Sequence, residues 1–272
     1  MKLDNSELVK KARLIRRDVL DRTHDTKSAH LGSCFSCVDI LTALYFHFLN
    51  VDPNKKRDPL RDRFILSKGH ACLALYCTLY ERGLLTKEVL DGYGIDGGTL
   101  EHHSKYNLDY GIELSTGSLG HGLPVACGMA YVGKKENFRV ITLVSDGEMG
   151  EGSNWEAILF AGHHKLNNLT CIVDYNKIQA MGDVKDILDQ EPFAKKFAAF
   201  NWNVMEVDGH NFNDIISALN STRERPEQPL AIIAHTLKGK GVSFMENQLL
   251  WHYRCPDEQE LEAARKELAK NV

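Results

Sequence analysis

Little in this sequence suits a membrane, a nucleic acid or an oxidising compartment. No apolar run approaches the roughly 20 residues that cross a bilayer. Met1-Lys2-Leu3-Asp4-Asn5-Ser6-Glu7 lacks the apolar core of a secretory signal. Positive charge is in deficit: 33 Lys and Arg against 37 Asp and Glu give a net charge of −4, and the pI is near 6.3. An electrostatic nucleic-acid binder needs the opposite balance. The seven cysteines are odd in number, and Cys72, Cys77, Cys127 and Cys171 lie inside apolar stretches. That pattern fits reduced thiols in the cytoplasm better than a disulfide framework. Cys34 and Cys37 form a lone Cys-x-x-Cys with no second pair, so helix packing is its expected role. No repeat, low-complexity tract or linker divides the chain. No strand runs into Gly-x-Gly-x-x-Gly, which sets aside a dinucleotide fold.

What is present is ordinary for a globular protein: 272 residues, 43% apolar and 26% charged, enough to bury one large core. Strand and helix patterns alternate, which predicts an α/β fold with a doubly wound, mostly parallel sheet and helices on both faces. An amphipathic helix is expected over 6–25, with Leu8, Ala12, Ile15, Val19 and Leu20 on one side. An apolar helix follows from about Ser36 to Leu49. Further helices are expected near 71–82, 120–134, 155–166, after Pro192, over 212–222 and from Asp257. Strands are expected at 64–66, 138–144, 169–173, 203–207 and 230–234. Residues 94–116 read as a long glycine- and histidine-rich loop, a kind of segment often functional. The whole, 1–272, reads as one domain with an N-terminal helical extension over 1–50.

The chemistry concentrates between Asp146 and Asn176, thirty positions apart. A β-branched run ends in Ser145-Asp146-Gly147-Glu148-Met149-Gly150-Glu151-Gly152, a turn too polar to continue a strand. Ser153 or Asn154 is expected to cap the next helix. Leu169-Thr170-Cys171-Ile172-Val173 is a second strand, with Asp174-Tyr175-Asn176 at its end. Parallel neighbours would bring Asp146 and Asn176 to the carboxyl edge of the sheet, where such folds bind ligands. A carboxylate, an amide oxygen and a nearby carbonyl are hard donors that suit a small divalent cation such as Mg2+. Gly147 and the following helix N-terminus favour a phosphate. An Asp-Gly turn alone merely joins strand to helix; the combination points to a metal–diphosphate site.

These residues resemble the thiamine diphosphate motif, usually Gly-Asp-Gly followed after a helix by Asn. The wider text resembles transketolases: Glu151-Gly152-Ser153-Asn154-Trp155-Glu156-Ala157, Ser28-Ala29-His30-Leu31-Gly32, Ser67-Lys68-Gly69-His70-Ala71, Ser115 to Gly122, His235 to Gly241, and Trp251-His252. The likeness covers almost the whole chain in order. It corresponds to the N-terminal half of the enzyme, as found where a transketolase is split over two polypeptides.

The resemblance implies thiamine diphosphate with Mg2+ (Ca2+ or Mn2+ as substitutes) and transfer of a two-carbon ketol unit from a ketose to an aldose. It implies metal binding by Asp146, Asn176 and the Ile178 carbonyl. Cofactor contacts would come from His70, Gly117, Ser118, Leu119, Gly147, the Glu148 backbone N–H, Asn176 and Ile178. His30, His70, His102 and His252 would surround the reacting carbon and the donor sugar. Glu151 and Glu156 match acidic residues near the family's subunit interface. Three positions depart from the family: Ser145 stands for glycine, Glu101-His102-His103 for Gly-His-Pro, and His121 for Gln. The choice between His102 and His103 stays open. The family's activating glutamate and aminopyrimidine pocket belong to the following domain. A partner chain carrying the pyrimidine-binding and C-terminal domains is therefore expected, in an α2β2 assembly acting on sugars or sugar phosphates. The rival readings are deoxyxylulose phosphate synthase, the α subunit of a 2-oxo acid dehydrogenase, and a non-catalytic scaffold that binds the cofactor.

Overall fold

The computed structural model describes residues 2–136, 138–223 and 227–270. Among them five strands form one sheet: β1 (Arg63–Leu66), β2 (Val140–Ser145), β3 (Leu169–Tyr175), β4 (Asn203–Asp208) and β5 (Leu230–His235). They lie in the order β1-β2-β3-β5-β4, and every neighbouring pair is parallel. β2 and β3 are buried along their whole length, as the near-continuous apolar runs of a sheet covered on both faces require.

The helices are α1 (Asn5–Asp25), α2 (Leu31–Ala43), α3 (Cys72–Glu81), α4 (Lys87–Asp91), α5 (Gly122–Gly133), α6 (Gly152–His163), α7 (Val184–Leu188), α8 (Phe193–Ala199), α9 (Phe212–Asn220) and α10 (Glu258–Lys270). Alternate strand residues sort them into two layers. Val140, Val144, Cys171, Val173, Ala231 and Ile233 meet α5, α6 and α8. Ile141, Leu143, Ile172, Ile232 and Ala234 face the other way and share one apolar cluster with residues of α1, α2, α3, α9 and α10. The N-terminal helices thus belong to the same core as the sheet. Asp4 opens α1 with a capping box: its carboxylate accepts from Glu7 N, and the Glu7 carboxylate accepts from Asp4 N, both at 2.9 Å.

Two expectations need correcting. Leu31–Phe48, α2 plus a π-helical turn, is apolar and long enough to suit a membrane span, yet 89% of it is buried inside the protein. Every one of the 13 residues of α2 is buried. Secondly, α6 begins at Gly152, ahead of the expected Trp155, and neither Ser153 nor Asn154 caps it. Their side chains are committed elsewhere: Ser153 Oγ donates to Gly120 O at 2.7 Å, and Asn154 Nδ2 to Glu148 O at 2.8 Å. Both bonds tie the helix to neighbouring turns instead of to its own first amides.

Candidate functional site

The carboxyl ends of β1, β2, β3 and β5 each run into a polar turn, and these turns converge on one cavity of about 350 Å³. Asp146 follows β2 and Asn176 follows β3, whose register pairs Ser145 with Asp174. Asp146 is buried. Its Oδ1 accepts from Gly147 N at 2.7 Å and its Oδ2 from Lys177 N at 2.6 Å. Asn176 Oδ1 accepts from Ile178 N at 3.2 Å. Burial, with Asp174 close by, pushes the Asp146 carboxyl up to about 6 against the pull of those two amides. Burial disfavours the charged form of such a carboxyl, and an adjacent positive charge would favour it.

Two glycines shape the wall. A Cβ on Gly69 would lie 2.7 Å from Gly117 N, so the turns after β1 and before α5 touch backbone to backbone. Gly117 itself has φ +152°, and a Cβ there would meet the His103 ring at 3.0 Å.

Three imidazoles form a cluster on one side. Ring centroids are 5.3 Å apart for His30 and His70, 4.9 Å for His30 and His252, and 5.8 Å for His70 and His252. His30 N donates to His252 O at 3.0 Å. Its backbone is left-handed, with φ +70°, a costly conformation for a residue with a Cβ and one found preferentially at functional sites. Burial, then His103 and Lys238, depress His30 to about 4. Burial, then Lys238, depress His252 to about 3. His70 is held well below its ordinary value by burial and Lys68. All three are neutral near pH 7.

The cavity gathers His30, His70, Gly117, Leu119, Asp146, Gly147, Asn176, Ile178 and His252 from the residues singled out in the sequence. Others it places differently. His103, not His102, lines the cavity; His102 turns to the Tyr93 hydroxyl, at 3.0 Å from Nδ1. The Glu148 amide donates to Ser145 Oγ at 3.2 Å, so the hydroxyl that replaces a glycine hydrogen has taken the N–H assigned to the cofactor. The Glu148 carboxylate instead joins three turns, accepting from Ser67 Oγ at 2.5 Å, Gly120 N at 2.9 Å and Ser145 N at 3.3 Å. Ser118 is exposed and does not line the cavity, and neither does His121. Glu151 borders it, while Glu156 is exposed on α6.

Sequence reasoning missed Ser33, Lys68 and Lys238, which also line the cavity. Lys238 Nζ donates to Ile178 O at 3.2 Å and lies 3.1 Å from His252 Nδ1; burial and then Lys68 lower it to about 8. The available signal was the position of Lys238 three residues past the end of β5, at the same carboxyl edge as Asp146.

The family described as "Transketolase, thiamine diphosphate binding domain" matches residues 5–271. One of the subunits of the apulose-4-phosphate transketolase of Actinobacillus succinogenes is 42% identical over 269 residues, covering 98% of this chain and 97% of that one. A 6-deoxy-6-sulfo-D-fructose transketolase subunit from a Clostridium species is 38% identical over 266 residues, covering 97% of each chain. The crystal structure of transketolase from Campylobacter jejuni superposes with a TM-score of 0.84 at 28% identity; the overlap takes in 97% of this chain but 42% of that one. Since the family match runs from the first turn of α1 to the last of α10, the chain belongs to the transketolase family, as its thiamine diphosphate binding domain.

Proposed function

We propose that this chain is the diphosphate-holding subunit of a two-chain transketolase, which moves a ketol unit between sugars once a second chain closes its cavity. The observation that carries this reading is the meeting of Asp146, Asn176 and the Ile178 carbonyl with the Gly117 turn in one cavity at the sheet's carboxyl edge. Bound thiamine diphosphate supplies the electron sink for breaking a carbon–carbon bond beside a carbonyl.

The donor set fits a hard divalent ion. Asp146, Asn176 and Ile178 would offer one anionic and two neutral oxygens, leaving the remaining positions of a Mg2+ octahedron to water and diphosphate. The ion would take over the Ile178 carbonyl now bonded to Lys238. Lys238 adds a positive charge facing the diphosphate, and the open backbone at Gly117 lets phosphate oxygens come close. The neutral imidazoles of His30, His70 and His252 each carry one donor and one acceptor nitrogen. They are suited to bind sugar hydroxyls and to hold or pass a proton at the donor's carbonyl oxygen. His103, exposed and with its ring 6.2 Å from that of His30, lines the same cavity.

The rest of the site would come from a partner chain bearing the pyrimidine-binding and C-terminal domains, in a symmetric assembly of two copies of each. The relatives that are themselves subunits support that division. Their names carry a phosphate or a sulfo group, which supports an anionic sugar as substrate. The free thiols of all seven cysteines support a reducing, cytoplasmic setting. Mixing tests the proposal. The purified chain alone should catalyse no ketol transfer with any sugar pair and should gain it on addition of the partner; turnover by the isolated chain would refute the assignment.

A further inference from the structure

Away from the cavity, on the other side of the loop that carries Lys238, Arg16, Asp39 and His210 form a buried chain of contacts. Arg16 grips Asp39 with both guanidinium nitrogens, Nη1 to Oδ1 at 2.9 Å and Nη2 to Oδ2 at 2.6 Å. Asp39 Oδ2 lies 2.7 Å from His210 Nδ1. The far side of the ring accepts a backbone bond, from Leu237 N to His210 Nε2 at 2.9 Å. The side chains of Arg16 and Asp39 are each 7% exposed and that of His210 is 11% exposed. A backbone N–H can only donate, so Nε2 must be bare, and the ring's single proton sits on Nδ1, facing the carboxylate.

We infer that His210 is a positioning residue: by accepting the Leu237 amide it sets the direction in which the next residue, Lys238, enters the cavity. The inference rests on the reading of that cavity as a diphosphate site. The segment is fixed by backbone bonds on either side. Thr236 N donates to Tyr175 O at 3.1 Å, and Gly239 N donates to Gly32 O at 3.0 Å. The Leu237 amide between them is received by a side chain anchored on α1 and α2 instead of by a carbonyl. The three-residue chain links the helical layer to Lys238, one of the two lysines that line the cavity.

The test is a double-mutant cycle on the full chain, read as the affinity for inorganic pyrophosphate with Mg2+ by calorimetry. His210→Asn keeps an amide opposite Asp39 and withdraws the acceptor from Leu237. His210→Gln can return an oxygen to that amide. His210→Asn should weaken pyrophosphate binding about fivefold to tenfold, the scale of one buried hydrogen bond, and His210→Gln should recover most of the loss. In a Lys238→Met background, His210→Asn should cost nothing further. An unchanged affinity, or an equal loss in both backgrounds, overturns the inference. If Lys238→Met itself leaves affinity unaltered, the diphosphate reading of Lys238 fails first. Nitrogen-15 shifts of the unmodified chain give a check that no folding defect can blur: a proton found on His210 Nε2 also overturns it.

Discussion

Lys68 Nζ sits 2.5 Å from Asp174 Oδ2, and neither side chain has any exposure to solvent. Asp174 also accepts from Ser36 Oγ at 2.6 Å and from the Thr236 hydroxyl. Burial opposes the charge on Lys68, but Asp174 outweighs it and holds the ammonium above its ordinary value. Removing one partner strands the other, so Lys68→Met should cost about 3–5 kcal/mol. Adding Asp174→Asn should return part of that. Denaturant midpoints of the parent chain and the two variants check both statements.

The metal assignment turns on the charge of Asp146. Asp146→Asn preserves the shape and keeps an oxygen for one of the two amides it receives. It should still fold, yet bind Mg2+ with thiamine diphosphate more than about 100-fold more weakly, beyond the 10–100-fold typical of groups behind a ligand. Titration calorimetry with and without metal reads the difference.

Ser145 gives the opposite prediction. Its hydroxyl occupies the Glu148 amide, so Ser145→Gly should free that N–H for the diphosphate and tighten cofactor binding severalfold. The same change loses a hydrogen bond and adds backbone freedom, costing about 1–2 kcal/mol of stability. Affinity and melting temperature should therefore move in opposite directions.

Histidine protonation should show in the cofactor-free chain. His30 and His252 lie at about 4 and 3 in the fold, below the roughly 6.5 of an unfolded chain. As pH falls from about 6.5 toward 4 for His30 and toward 3 for His252, the unfolded chain takes up protons that the folded one refuses, so stability present above 6.5 is lost in that window. His30→Asn, an exchange that tolerates the left-handed backbone, should make the loss shallower. Melting temperatures across the window measure it.

In the assembled enzyme, His103→Ala should impair sugar turnover while His102→Ala should change it little. His102 is bonded to Tyr93 outside the cavity. Equal effects from the two substitutions would contradict the placement of the loop.

The alternation of strands and helices and the Asp146–Asn176 turn pair were legible because they are written in local patterns: β-branched runs, glycine turns and one fixed spacing. Lys238 was not. It reaches the cavity only because β5 inserts between β3 and β4, an order that local periodicity does not encode. The start of α6 was misplaced for a related reason. Ser153 and Asn154 have the chemistry of caps, but partners distant in sequence or in an adjoining turn claim them. The choice of His103 over His102 depended on the turn of an irregular loop, where no periodicity assigns a direction to either side chain.

Helix α2 has no outward side, since every one of its residues from Leu31 to Ala43 is buried. Surface helices tolerate polar replacement along one stripe, producing the familiar rise and fall every three or four positions. Saturation mutagenesis of this helix should instead give a level trace, with lysine or glutamate rejected at each apolar position. Any tolerance map that oscillates there would report on something other than this packing.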